Sequence, residues 1–258
     1  MHLLIDIGNS RVKWAELDGG VLERRGHAAH RESVDAALGE LEDSFSTAPE
    51  SVIVANVAGL AMAEKLGALC RRRLGLAPEF VAVRAEQFGV RCAYADPARL
   101  GVDRWVALLG AHRAVRGAVC VISAGTAVTF DAVDAGGSHL GGLILAGPRL
   151  AAAALERHTS DIGPTTAAGE PPRGLDLLGR STDTAVAHGA WLAIAAALDR
   201  AVATVSQALG TAPTVYLTGG DAARVAAWLE TEAELRADLV LEGLALFARP
   251  GARVNVES

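Results

Sequence analysis

The feature that most constrains this chain is an internal echo. Leu4-Ile5-Asp6-Ile7-Gly8-Asn9-Ser10-Arg11-Val12-Lys13 reads as an apolar run, a glycine corner and a second run. Val121-Ile122-Ser123-Ala124-Gly125-Thr126-Ala127-Val128-Thr129-Phe130 repeats that layout 117 residues later. Each segment predicts two strands joined by a tight turn that carries Gly and a small polar residue. A matched pair spaced by almost half of 258 residues points to two related halves. Apolar runs alternate with helical patterns elsewhere, so the fold class is α/β.

The first hairpin continues through 12–17, and further strands are expected over 51–57, 80–83, 118–122 and 214–217. Helices are expected over 32–44, 61–74 (stopped by Gly75), 102–115, 182–209 and 235–247. The stretch 163–174 is rich in Gly, Pro and Thr and reads as a loop. The expected lobes are 1–115 and 116–258, each with its own hairpin, the last helix being able to pack back on the first lobe.

Charge excludes one class of partner. The net charge is -6, and the only lysines are Lys13 and Lys65, so there is no electrostatic footprint for nucleic acid. Arg71-Arg72-Arg73 reads as a solvated helix face. The Ala/Leu-rich stretch 191–198 is too short to span a bilayer and is closed by Asp199 and Arg200. The first residues lack the basic region and long apolar core of a signal peptide. Cys70, Cys92 and Cys120 are odd in number and have no metal-ligand spacing, which suits small buried hydrophobes in a reducing compartment. No histidine spacing suggests a metal site. A soluble cytoplasmic protein is expected.

The two turns suggest anion chemistry. A tight turn of Gly and a small polar residue exposes backbone N–H groups that hold an anion without side-chain charge. Glycine also admits close approach, because no Cβ intervenes. Two such loops facing each other would grip a polyphosphate from both sides. Arg11 and Lys13 share one strand face beyond the first turn and could neutralise its charge. There is no G-x-x-x-x-G-K-[ST], and no G-x-G-x-x-G opens a helix after the first strand, so P-loop and dinucleotide folds are unsupported. Twin hairpins in two α/β lobes instead resemble the superfamily of actin, Hsp70 and the acetate and sugar kinases.

A third segment carries acidic chemistry. Tyr94 is followed by Gly101-Val102-Asp103-Arg104, with Asp103 at an expected helix start. The helix N-terminus favours an ionised carboxylate there, which can take a hydroxyl proton during phosphoryl transfer. Arg104 can hold a substrate carboxylate bidentately. From this segment alone, an ordinary first-turn Asp beside an exposed Arg is the favoured reading.

Taken in order, the segments resemble the type III pantothenate kinase family over nearly the whole chain. Asp6-Ile-Gly-Asn-Ser-x-x-Lys13 is similar to its first phosphate motif, and Tyr94 with Gly101-Val-Asp-Arg104 to its substrate motif. Ala124-Gly-Thr-Ala-Val-Thr-Phe-Asp131 is similar to its second phosphate motif, and Gly141-Gly-Leu-Ile-Leu-Ala-Gly147 to its Gly-Gly-x-Ile-x-Pro-Gly stretch. Leu178-Gly-Arg-Ser-Thr-Asp-Thr-Ala185, Tyr216-Leu-Thr-Gly-Gly-Asp221 and Asp238-Leu-Val-Leu-Glu-Gly-Leu244 resemble its substrate-contacting, adenosine and closing-helix motifs.

The resemblance implies ATP-dependent phosphorylation of the primary hydroxyl of pantothenate, in a homodimer. It implies Asp103 as general base, and Tyr94, Gly101, Val102 and Arg104 as pantothenate contacts. Asp6, Ile7, Gly8, Asn9, Ser10, Arg11, Val12 and Lys13 would hold ATP phosphates, with Asp6 positioning Mg²⁺ through water. Thr126, Gly219 and Gly220 would contact ATP from the second lobe. Thr182 would reach pantothenate across the dimer interface; Thr184, or a capping role for Thr182, competes with that assignment. Asp131 is either an aid to the metal–phosphate region or a turn-side residue.

Two positions depart from the pattern. Where the family carries Asp to help bind K⁺ or NH₄⁺, this chain has Ser123, so that cation site is expected to be weak or missing. Ala146 replaces the motif's Pro. A non-catalytic regulator on the same fold, or a kinase for another small hydroxylated substrate, are the competing functions.

Overall fold

The computed structural model describes residues 1–45, 48–160, 162, 163 and 170–248, and part of the expected 163–174 loop lies outside them. The chain divides into two compact units, Met1–Ala114 together with the segment from Asp238, and Val115–Ala237.

The first unit is built on strands β1 (His2–Ile7), β2 (Arg11–Asp18), β3 (Val21–Ala29), β4 (Val52–Asn56) and β5 (Glu79–Phe80), in the order β3-β2-β1-β4-β5. β1 pairs antiparallel with β2 and parallel with β4. Side-chain alternation splits β1 between two cores. Leu3, Ile5 and Ile7 pack with Leu38, Leu41 and Leu66 of helices α1 (Val34–Asp43) and α2 (Leu60–Leu74). Leu4 packs with Val106, Leu241 and Leu244 of α3 (Val102–Ala114) and α7 (Leu239–Leu244). The last two helices nearly touch, since a Cβ on Gly243 would lie 2.0 Å from the Val106 carbonyl oxygen. Gly75 ends α2 in the left-handed conformation, at φ 69°. A short ribbon, β6 (Glu86–Gln87) and β7 (Val90–Arg91), precedes α3.

The second unit repeats the plan. β8 (Val119–Ala124), β9 (Ala127–Val133), β10 (His139–Ala146), β11 (Thr214–Thr218) and β12 (Glu234–Leu235) run in the order β10-β9-β8-β11-β12. As in the first unit, the first three strands pair antiparallel, and a parallel pair extends the sheet. Helices α4 (Pro148–His158), α5 (Thr182–Leu209) and α6 (Ala222–Trp228) complete it. By length and apolar character α5 could cross a membrane, but Trp191, Ile194 and Leu198 are buried in this unit's core against β8, β9 and β11.

Several elements were not anticipated, the three longest being β3, β10 and α4. β3 and β10 are outer strands whose side chains are mostly exposed, so neither carries a clean apolar alternation. α4 starts at Pro148, directly after the glycine-rich strand. The helix expected over 235–247 is shorter. Leu235 pairs with Leu217 as part of β12, and the helix begins only after Asp238. The strand expected over 80–83 is reduced to Glu79–Phe80.

Candidate active site

In the first unit the site begins at the β1–β2 turn. Asp6 is the register partner of Lys13, and Ile7 of Val12. The turn closes when the Gly8 N–H donates to the Arg11 carbonyl at 3.0 Å. Gly8 does not have a positive φ, and a Cβ there would meet only the Arg11 oxygen at 3.6 Å, an ordinary contact. The fold does not demand glycine here; what its absence of a side chain provides is open space beside the turn. Asn9 is exposed at the tip.

Asp6 is in an unusual state. Its Oδ1 is buried and accepts no hydrogen bond. Burial pushes its carboxyl up to about 7, the nearby Asp103 carboxylate pushes the same way, and Lys13 pulls it back. Asp103 sits in the first turn of α3, where its Oδ1 accepts from the Arg104 N–H at 2.8 Å. Gly101 makes room for that carboxylate, since a Cβ there would stand 2.8 Å from Asp103 Oδ1. Arg104 is buried, and its Nη1 donates to the Tyr94 hydroxyl at 3.3 Å. Trp105, fully buried, donates its indole N–H to Gln87 and so ties the β6–β7 ribbon to α3. Thus Asp6, Lys13, Tyr94, Gly101, Val102, Asp103 and Arg104, far apart in sequence, form one neighbourhood.

In the second unit the β8–β9 turn is built alike but is one residue shorter. The Gly125 N–H donates to the Ala127 carbonyl at 3.0 Å, and a Cβ on Gly125 would meet nothing closer than 3.7 Å. Thr126 is exposed at the tip. Two backbone donors brace the turn: the Gly147 N–H to the Thr126 carbonyl at 2.9 Å and the Asp221 N–H to the Ala124 carbonyl at 3.0 Å. Gly219 has φ +100°, and a Cβ there would lie 2.2 Å from the Ala124 oxygen. Its glycine is therefore required by backbone packing, whatever Gly219 and Gly220 bind. Arg149 Nη2 donates to the buried Asp221 carboxylate at 2.5 Å, a tie that no motif or spacing predicts.

Ser123 holds the place in β8 that Asp6 holds in β1, two residues before the turn glycine, and its register partners are Thr129 and Thr218. Among the described residues no cluster of three or more His, Cys, Asp or Glu could hold a metal ion. Asp131 is not at a turn. It lies within β9, buried, and bonds His139 at 3.2 Å. The helix-capping alternative for Thr182 is also corrected. Ser181 is the N-cap of α5 and Thr184 its capping-box partner, which leaves Thr182 exposed and outside the cap.

The fold is that of the actin-like ATPases and sugar kinases. The Clostridium difficile activator of 2-hydroxyisocaproyl-CoA dehydratase, solved with bound ADPNP, superposes with a TM-score of 0.53 at 13% identity, covering 96% of this chain and 93% of that one. That likeness is one of fold alone; the sequence relatives define the class, an ATP-dependent kinase. The family model for type III pantothenate kinase matches residues 2–204. The type III pantothenate kinase of Nitrosococcus oceani is 37% identical over 264 residues, covering 100% of this chain and 97% of the relative. That of Chromobacterium violaceum is 38% identical over 248 residues, covering 95% and 98%. The chain belongs to the type III pantothenate kinase family.

Proposed function

We propose that Asp103 is the general base of a reaction that moves the γ-phosphate of ATP to the primary hydroxyl of pantothenate, giving 4'-phosphopantothenate for coenzyme A synthesis. The observation that carries this reading is the pairing of Asp103 with Asp6. One carboxylate stands at a helix start, and the other is buried with an orphaned oxygen beside it. Arg104, steadied by Tyr94, is the partner for the pantothenate carboxylate. The Gly8-Asn9-Ser10 and Gly125-Thr126 turns supply backbone amides to the phosphates, with Arg11 and Lys13 adding charge. Gly219 and Gly220 belong to the adenosine side, and Thr182 to pantothenate.

The Asp6 carboxyl fits a divalent cation. A buried carboxylate oxygen with no protein donor is suited to Mg²⁺ or to one of its waters, and a cation would return the group to its ionised form. Mg²⁺ would neutralise charge on the β- and γ-phosphates. Ser123 offers a hydroxyl where a carboxylate would hold K⁺, so little change in rate is expected when K⁺ or NH₄⁺ replaces a large organic cation.

A homodimer agrees with the apolar surface of the second unit, where Leu143, Ile144, Leu150 and Leu155 are exposed and Leu155 also lines a groove of about 520 Å³ between α4 and α5. A cytoplasmic setting agrees with its free thiols, two of which are buried.

ADP release from the purified protein tests the reaction. Release is expected to need both ATP and pantothenate, and a carboxylate-free sugar should not replace pantothenate. Tight ATP binding without turnover would instead favour the regulatory reading.

A further inference from the structure

The third strand of each unit ends in a residue that braces that unit's turn. In the second unit it is Gly147, directly after β10, whose N–H donates to the Thr126 carbonyl at 2.9 Å. A Cβ on Gly147 would stand 2.5 Å from the Gly125 oxygen and 2.6 Å from the Thr126 oxygen, so backbone lies against backbone. In the first unit the matching residue is His30, directly after β3, whose N–H donates to the Ser10 carbonyl at 3.1 Å. Here a side chain does the rest: the buried ring brings Nε2 to 2.7 Å from the Gly8 carbonyl oxygen.

That hydrogen bond has a direction. A carbonyl oxygen only accepts, so His30 Nε2 carries the proton. The Gly8 carbonyl and the Asn9 N–H belong to one trans peptide plane and point opposite ways. A Gly8 oxygen held against His30 therefore turns the Asn9 N–H away from the protein, toward the side of the turn that Gly8 keeps open. Asn9 is the exposed tip residue.

We infer that His30 is a positioning residue for the nucleotide: through the Gly8 carbonyl it fixes the Asn9 amide as a preset phosphate donor. The inference rests on the reading of the β1–β2 turn as a phosphate loop. His30 touches neither substrate. It removes the peptide rotation that the longer turn would otherwise have to lose on binding ATP. The shorter β8–β9 turn achieves the same with Gly147 backbone alone.

The test compares His30→Ala, His30→Gln and Gly8→Ala in steady-state kinetics, with MgADP binding by calorimetry. His30→Ala should raise the ATP KM about 5- to 10-fold, the worth of one hydrogen bond, and weaken MgADP equally, with the pantothenate KM unchanged. The Gln amide can place an N–H near the position of Nε2, so His30→Gln should recover most of the loss. A uniform fall in active fraction with unchanged ATP KM, or a folded Gln variant no better than Ala, overturns the inference. If His30→Ala is too unstable to assay, the Gln variant and MgADP binding still decide. Gly8→Ala separates the two levels. If it leaves the ATP KM unchanged, the phosphate-loop reading itself fails; if it raises that KM while His30→Ala does not, only the role of His30 fails.

Discussion

Asp6 and Lys13 stand directly opposite each other in the β1–β2 register, yet Asp6 keeps a buried oxygen with no donor. A lysine across a hairpin is not enough to hold a buried carboxylate ionised when burial and a second carboxylate, Asp103, oppose it. On the proposed function, this group is the one that meets a cation arriving with the nucleotide.

This gives a pH signature in the ligand-free protein. The folded carboxyl titrates at about 7 against an ordinary value of 3.8, so between these pH values the native state binds a proton that the unfolded chain does not. Stability is therefore expected to fall as pH rises through that window and to level off above it. Asp6→Asn removes the effect. Its thermal stability relative to wild type should grow from pH 4 to pH 7 and then stay constant, by at most about 4 kcal/mol. With MgATP added the order should reverse, because only the wild type gains the cation. Parallel melting curves for the two proteins across pH would remove Asp6 from this role.

Asp103→Asn is expected to lower kcat by roughly 10²–10⁴-fold, the worth of a general base, with little change in ATP affinity. The Asn side chain can still accept from the Arg104 N–H, so the start of α3 should survive the change. Gly101→Ala approaches the same carboxylate from the other side. Its Cβ would stand 2.8 Å from Asp103 Oδ1 and push it aside, so kcat should fall while ATP binding persists. Wild-type kcat in either variant would show that the position of the Asp103 carboxylate does not matter.

The glycines of the second unit divide into two kinds that kinetics and melting can tell apart. Gly125 has open space around it and Gly219 does not. Gly125→Ala should raise the ATP KM with an unchanged melting temperature. Gly219→Ala puts a Cβ into the Ala124 carbonyl and forces a strained φ, so it should lower the melting temperature by several degrees before any ligand is considered. Equal melting temperatures for the two would show that the turn tolerates a Cβ at Gly219.

What was legible in the sequence follows from how local each signal is. The paired turns at Gly8 and Gly125 could be read because strand, corner and strand lie within ten residues of each other, and the two sheets that carry them have matching strand orders. The α5 span was legible because an Ala-rich run is bracketed by a capping box and a left-handed Gly210. β3 and β10 could not be seen, because outer strands with exposed faces bury too little to leave a pattern. The braces on the turns were invisible for another reason. His30 to Gly8 and Arg149 to Asp221 span 22 and 72 residues, and no spacing rule links a lone histidine or arginine to a carbonyl or carboxylate that far away.

The capping box at α5 separates two threonines that the sequence left in competition. Thr184 Oγ1 accepts from the Ser181 N–H at 3.1 Å, and Ser181 Oγ accepts from the Thr184 N–H at 3.2 Å, so the Thr184 hydroxyl is committed to the helix start. Thr182 lies one position inside the same turn, exposed, beside the Ala151 and Leu155 groove. Thr184→Val should therefore cost about 1 kcal/mol of stability, the usual worth of a cap, whether or not pantothenate is present. Thr182→Val should leave stability alone and raise the pantothenate KM more than the ATP KM. Because Thr182 is expected to act across a subunit interface, that change should be rescued in mixed dimers. A Thr182 variant paired with an Asp103→Asn variant would recover up to about half of wild-type activity per dimer if one intact site forms in two. Mixed dimers no more active than the two parents would place Thr182 and Asp103 in the same subunit's site, and an unchanged pantothenate KM would remove Thr182 from substrate binding.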